Sequence, residues 1–221
     1  MKAGPLDIRT FVAPAFGQNA YLVRCGGGPT AIVVDPGAEA AGMADALEAG
    51  GLELAAVLLT HAHLDHIEGV AELVRRTGAA VYLNGSDLPL YGAAQRQAEM
   101  FGMSIETPPP VDQPLETGTL EFGGVSFEVR PAPGHSPGHV VLYCAAARVA
   151  FVGDVIFQGS IGRTDLPGGD YRQLMRSIRE QVLTLPRETV LLSGHGPATT
   201  VEHEAATNPF IIPHFGGGAL V

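Results

Sequence analysis

Leu54-Ala55-Ala56-Val57-Leu58-Leu59-Thr60-His61-Ala62-His63-Leu64-Asp65-His66 is the stretch that decides how this chain is read. The unbroken apolar run over 54–59 predicts a strand buried on both faces. Just past it, extended backbone would put His61 and His63 on the same side, because alternate side chains share a face. Asp65 and His66 stand where a helix begins, within reach of a second spot nearby. Imidazole and carboxylate together suit zinc, iron or manganese rather than calcium.

Working outward, strands are expected over 6–12, 20–25 and 30–35, with Gly- and Pro-containing turns between them. An Ala/Leu/Met/Glu-rich helix over 38–49 stops at Gly50-Gly51. Ile67, Val70, Leu73 and Val74 recur at helical spacing until Gly78, and 79–83 returns to strand. Residues 119–122 and 125–130 read as a hairpin about Gly123-Gly124. Further strands fall at 140–144, 149–152 and 189–192, and helices at 171–183 and 200–206. The segment 84–114 says least: a helix over 93–101, then the stiff Pro108-Pro109-Pro110. The tail 211–221 carries no structural signal. Strands and helices alternate through both halves without a linker, so one α/β domain over 1–221 is expected.

Other strand ends deliver the same side chains. His135 follows the strand ending at Arg130, Asp154 follows 149–152, and His195 follows 189–192. Ligands of α/β sheets gather at the carboxyl ends of strands. Charge also favours two metals. Two divalent ions bring +4, and Asp65, Asp154 and one hydroxide return −3, a residue of charge that a half-buried site tolerates.

Composition narrows the function classes. The hydrophobic fraction is 46%, enough for a sizeable core, and the formal net charge of −10 would repel phosphate backbones. Nucleic acid is therefore not an expected partner. Cys25 and Cys144 stand in no metal or redox spacing and read as buried core residues rather than a disulfide. No apolar run approaches a membrane span and the N-terminus lacks a signal-peptide pattern, so the expectation is a cytoplasmic protein without membrane contact.

Thr60-His61-Ala62-His63-Leu64-Asp65-His66, followed by single His135, Asp154 and His195, resembles the metallo-β-lactamase superfamily. The match runs from Asp35-Pro36-Gly37 to His195. The resemblance implies an αβ/βα four-layer sandwich of two mixed sheets flanked by helices. It also implies that His61, His63 and His135 hold one metal, that Asp65, His66 and His195 hold the other, and that Asp154 bridges them. Two zinc ions are expected, with iron, manganese or mixed metals as alternatives.

Residues 162–170 (Gly-Arg-Thr-Asp-Leu-Pro-Gly-Gly-Asp), Gly194-His195-Gly196-Pro197 and Thr207-Asn208-Pro209-Phe210 look like the short glyoxalase II-like hydrolases. Full-length hydroxyacylglutathione hydrolases carry a C-terminal helical domain that helps bind glutathione, and this sequence is expected to lack it. The Gly-Arg-Thr-Asp segment also resembles persulfide dioxygenases, in which a single iron would sit on His61, His135 and Asp154. Both of those groups have an acidic residue and Tyr after the last His, where this chain has Gly196-Pro197. That departure favours the short hydrolases.

The expected reaction is hydrolysis of a small-molecule thioester by a hydroxide bridging the metals, with Asp65 orienting it or relaying a proton. Without an export signal a classical β-lactamase role is not expected. Arg163 reads either as a contact for a substrate carboxylate or as a brace paired with Asp165 or Asp170. His139 is expected behind the ligands rather than among them. His203 and His214 are expected to face solvent. Tyr91, Met100, Phe101 and Met103 read equally as a lid, a subunit contact or ordinary core.

Overall fold

Why the strands carry apolar side chains at consecutive positions is answered by the layers they separate. The computed structural model describes residues 1–212. In the first half, β1 (Lys2–Ala3), β2 (Leu6–Val12), β3 (Asn19–Cys25), β4 (Thr30–Val34), β5 (Glu53–Leu58), β6 (Ala80–Leu83) and β7 (Gln113–Pro114) lie side by side in chain order. Their pairing is antiparallel as far as β4 and parallel beyond it.

The second half contributes β8 (Gly118–Phe122), β9 (Val125–Pro131), β10 (Val140–Cys144), β11 (Val149–Gly153), a small hairpin of β12 (Ile156–Phe157) and β13 (Ser160–Ile161), then β14 (Val190–Ser193) and β15 (Thr199–Thr200). The second sheet runs β15-β14-β11-β10-β9-β8, with only β11 and β14 parallel. Both large sheets are thus mixed.

Each central strand feeds two cores. On β4, Ile32 and Val34 point between the sheets while Ala31 and Val33 point outward. On β11, Val149 and Phe151 point inward and Ala150 and Val152 outward. Helix α1 (Ala40–Gly50) and, after the short α2 (Leu64–Ile67), α3 (Val70–Thr77) cover the first sheet through Met43, Leu47, Val70 and Leu73. Through Leu174, Met175 and Val201, α6 (Tyr171–Ser177) and α7 (Val201–Thr207) cover the second. The layers are helix, sheet, sheet, helix. Two buried faces leave no room for polar alternation on β4, β10 and β11, whereas β2 and β9 alternate buried and exposed residues.

Phe151 is fully buried between the sheets, edge-on to Tyr21 with ring centroids 5.3 Å apart. Phe151→Ala should cost about 3–5 kcal/mol of stability, readable as a lowered urea midpoint. A cost below ~1 kcal/mol would mean the sheets close over the gap. Cys25 and Cys144 are both free thiols in this same core.

The structure departs from the sequence expectations in places. The segment 84–114 holds a 3-10 turn (Gly85–Asp87), α4 (Leu88–Gly92), α5 (Ala94–Met100) and the edge strand β7. The helix expected over 171–183 is α-helical only to Ser177 and then widens into a π turn over Ile178–Val182. There Arg130 donates to the Gln181 carbonyl and the Leu183 N–H reaches back to Ile178. The short strands β1, β12, β13 and β15 carry too few residues to show a period. No helix among the described residues is long and apolar enough to cross a membrane. His214 and the end of the tail, 213–221, lie outside the described residues.

Candidate metal centre

The candidate ligands meet at one edge, where both sheets end. β5 stops at Leu58, the chain bends at Thr60, and His63 is extended just before α2 begins. His135 sits in the β9–β10 loop, Asp154 directly after β11, and His195 beyond β14. His63 Nδ1 lies 2.8 Å from His135 Nε2, which is 3.2 Å from His61 Nε2. On the other side His195 Nε2 lies 3.1 Å from Asp65 Oδ2, and His66 Nε2 is 3.8 Å from the same oxygen. Asp154 stands between the groups. Its Oδ2 is 3.5 Å from both His135 Nε2 and His195 Nε2, and its Oδ1 is 3.3 Å from His66 Nε2.

The ring behind each nitrogen is held by a fixed acceptor. His135 Nδ1–H donates to the Arg163 carbonyl at 2.8 Å, and His195 Nδ1–H to the Phe16 carbonyl at 3.2 Å. Asp35 Oδ2 accepts from His66 Nδ1 at 3.0 Å and from the Thr60 hydroxyl at 2.6 Å. Having given its one proton to Asp35, Thr60 Oγ1 can only accept from His61 Nδ1, 3.1 Å away. Four Nε2 lone pairs are thereby aimed at the centre, an orientation typical of metal-binding histidines. Asp35 supports this from a left-handed backbone, φ 51°, while also accepting from the Thr60 N–H.

This arrangement fits divalent metals. The His61 and His135 lone pairs face each other at 3.2 Å, an arrangement that repels unless a cation lies between them. His66 Nε2 and Asp154 Oδ1 are buried without a hydrogen-bond partner. His61, His63 and His135, and separately Asp65, His66 and His195, place ligand atoms within 4.8 Å of one another. A third grouping, Asp35 with His61 and His66, is the orienting network just described, since Asp35 meets the far side of the His66 ring.

Electrostatics follow burial and charge. Burial pushes His61 well below its ordinary pKa, and burial with the neighbouring His135 takes His63 down to about 4, so both are neutral at physiological pH, as a metal would require. Burial opposes charge on His66 and His195 too. There the carboxylates win: Asp154, Asp65 and Asp35 raise His66 well above the usual value, and Asp154 and Asp65 raise His195 to about 10. Despite burial, Asp154 is held well below the carboxylate range by His66 and His195.

Sequence reasoning missed the residue that ties the histidine loops together. Asp87 is fully buried and accepts from the Ala62 N–H at 3.0 Å, the Ser136 hydroxyl at 2.7 Å and the Gly138 N–H at 2.6 Å. A side chain on Gly138 would collide with Asp87. Gln97 adds a second tie, donating to the Ala62 carbonyl and accepting from the Leu64 N–H. Neither signal is local. Both partners lie tens of residues away, so only an Asp beside a turn and a Gln on a helix were visible.

The remaining singled-out residues fall into place. His139 is buried behind Asp154, whose N–H it accepts at 3.0 Å, and stacks on His61. The Arg163 guanidinium is engaged by both oxygens of Asp165 at 2.7 Å, whereas Asp170 caps α6 by accepting from the Gln173 N–H. His203 is exposed. Tyr91 is buried and donates to the Pro109 carbonyl. Met100 and Phe101 are not core residues, being 77% and 61% exposed.

A sandwich of two mixed sheets with paired histidine–carboxylate sets at its edge defines a metallo-hydrolase framework built for divalent metals. The chain belongs to the metallo-β-lactamase superfamily, whose family model matches residues 13–195. It is 37% identical to hydroxyacylglutathione hydrolase GloC of Haemophilus influenzae over 214 residues, 93% of this chain and 98% of that one. Among solved structures, the BLEG-1 B3 metallo-β-lactamase superposes with a TM-score of 0.87 at 38% identity, covering 93% of this chain and 99% of the other. TTHA1623, solved in a di-iron-bound form, superposes at 0.84 with 45% identity, covering 91% and 99%.

Proposed function

We propose that this protein hydrolyses a small-molecule thioester, with His61, His63 and His135 holding one divalent ion, Asp65, His66 and His195 holding a second, and Asp154 shared between them. The observation that carries the reading is the position of Asp154, whose two oxygens reach His135, His195 and His66 at 3.3–3.5 Å. Similarity to a hydroxyacylglutathione hydrolase over nearly the full length of both chains supports the thioester class.

When bound, the metals would polarise the carbonyl and supply a water acidic enough to react at neutral pH. The protein does the rest. Asp35, Thr60 and the carbonyls of Arg163 and Phe16 keep the imidazole lone pairs aimed inward. Asp65 borders the cavity at 18% side-chain exposure, close enough to solvent to take and release a proton. Arg163 borders the same cavity, but its charge is shared with Asp165. The site needs no serine or cysteine nucleophile.

The test is elemental analysis of anaerobically purified protein alongside three assays. About two metal ions per chain with hydrolysis of S-lactoylglutathione or a related thioester is the expected result. One iron per chain with oxygen uptake on glutathione persulfide would replace it with the dioxygenase reading. Cleavage of a β-lactam without thioester turnover would place the protein with its lactamase neighbour instead.

A further inference from the structure

The cavity above the metal centre is lopsided in its chemistry. It encloses about 320 Å³, at the small end of the range for ligand cavities, roughly 300–1,000 Å³. Its floor is His63, Asp65, His135, Asp154 and His195, and its walls are almost wholly apolar. Phe16, from the β2–β3 turn, and Phe101, at the end of α5, meet edge to face with centroids 5.3 Å apart. Met100 extends this wall, and Leu166-Pro167 faces the same cavity.

Phe101 and Met100 lie mostly in solvent, at 61% and 77% exposure, which gains little as core packing. Large apolar groups clustered at the rim of a polar floor mark a binding surface rather than chance exposure. Charge points the same way. Among the described residues, Arg163 is the only Lys or Arg lining the cavity, and its guanidinium is paired with Asp165 through two hydrogen bonds. The whole chain carries a formal charge of −10. A multiply charged group seated against the walls, away from the floor, would meet hydrocarbon rather than lysines or arginines.

Resting on the thioester reading above, we infer that the acyl group of the substrate is apolar, aromatic or branched, and seats against the Phe16–Phe101 wall. The thiol carrier then extends past the rim towards water. The carbonyl must lie over the floor, where Asp65 and Asp154 are. A small hydroxyacyl group such as lactoyl would leave most of the Phe16–Phe101 wall uncovered.

The experiment keeps one neutral carrier, N-acetylcysteamine, and varies the acyl group among lactoyl, isovaleryl and phenylacetyl, using the metal-loaded full-length chain. The expected kcat/KM is at least tenfold higher for phenylacetyl and isovaleryl than for lactoyl. Phe101→Ala, and separately Phe16→Leu as a milder change, should shrink that ratio several-fold, mainly through KM. Equal kcat/KM across the acyl series would overturn the inference. So would selectivity that tracks the carrier when glutathione replaces N-acetylcysteamine with the acyl group held constant.

A calorimetric titration with S-benzyl-N-acetylcysteamine, which cannot be hydrolysed, separates this inference from the thioester reading. Binding that weakens in Phe101→Ala supports the wall even if every thioester resists hydrolysis. Hydrolysis of the whole series without any binding of the benzyl thioether removes the wall and leaves the reaction standing.

Discussion

Asp154→Ala is expected to strip the protein of stoichiometric metal and to abolish turnover. Replacing a group that merely orients a ligand typically costs 10–100-fold in metal affinity. Asp154 itself lies within 3.5 Å of three imidazoles, so its removal should exceed roughly 100-fold. The variant also loses the carboxylate whose negative charge makes His66 and His195 stronger bases. With burial then unopposed from that side, both rings become poorer bases. Metal content by elemental analysis and kcat on the preferred thioester are the readouts. Full activity with full metal would contradict the shared-ligand assignment.

Gly194→Ala should be nearly as damaging although it alters no ligand. A Cβ at this position would sit 2.1 Å from Asp154 Oδ1 and 2.6 Å from His66 Cε1. The loop has no slack to retreat. The Gly194 N–H donates to the Gly153 carbonyl at 2.8 Å, and its own carbonyl accepts from the Asn19 N–H at 2.7 Å. Either Asp154 rotates away from His66 or the strand ends separate. The expected outcome is a folded protein, by circular dichroism, whose metal affinity is down by about 10–100-fold, as when orientation alone is lost. Normal metal content in this variant would mean the centre tolerates more displacement than its packing implies.

Much of this site is legible in the sequence because its candidate ligands follow strands. A run such as Leu54–Leu59 announces both an element and its end, so the residues just beyond it, His61 to His66, can be placed without coordinates. His135, Asp154 and His195 are legible for the same reason. The four-layer arrangement was less directly so. Apolar runs say that both faces of a strand are covered, but the family resemblance, not the periodicity, supplied the sandwich.

What escaped reading depends on distant partners. Asp35 was noticed as part of a turn, and only the fold brings it to Thr60 and His66. Asp87 gave no signal because an acidic residue beside a turn is commonplace, and its acceptor role needs Ala62, Ser136 and Gly138 in place. Arg163 was legible as a residue of interest but not in its contribution. Its carbonyl, which every residue possesses, supports His135, while its distinctive guanidinium turns to Asp165.

The division of ligands between the sheets has a consequence for assembly. The first seven strands and their helices carry His61, His63, Asp65 and His66. Everything after Leu115 carries His135, Asp154 and His195. Neither half alone supplies all of His61, His63 and His135 or all of Asp65, His66 and His195, and Asn19, Tyr21 and Asp87 reach across to the other half by hydrogen bonds. Two fragments cut between β7 and β8 would therefore regain a complete coordination sphere only by docking sheet on sheet. Metal capture would then be a gauge of reunion, with the ion a clasp between two pieces of one chain.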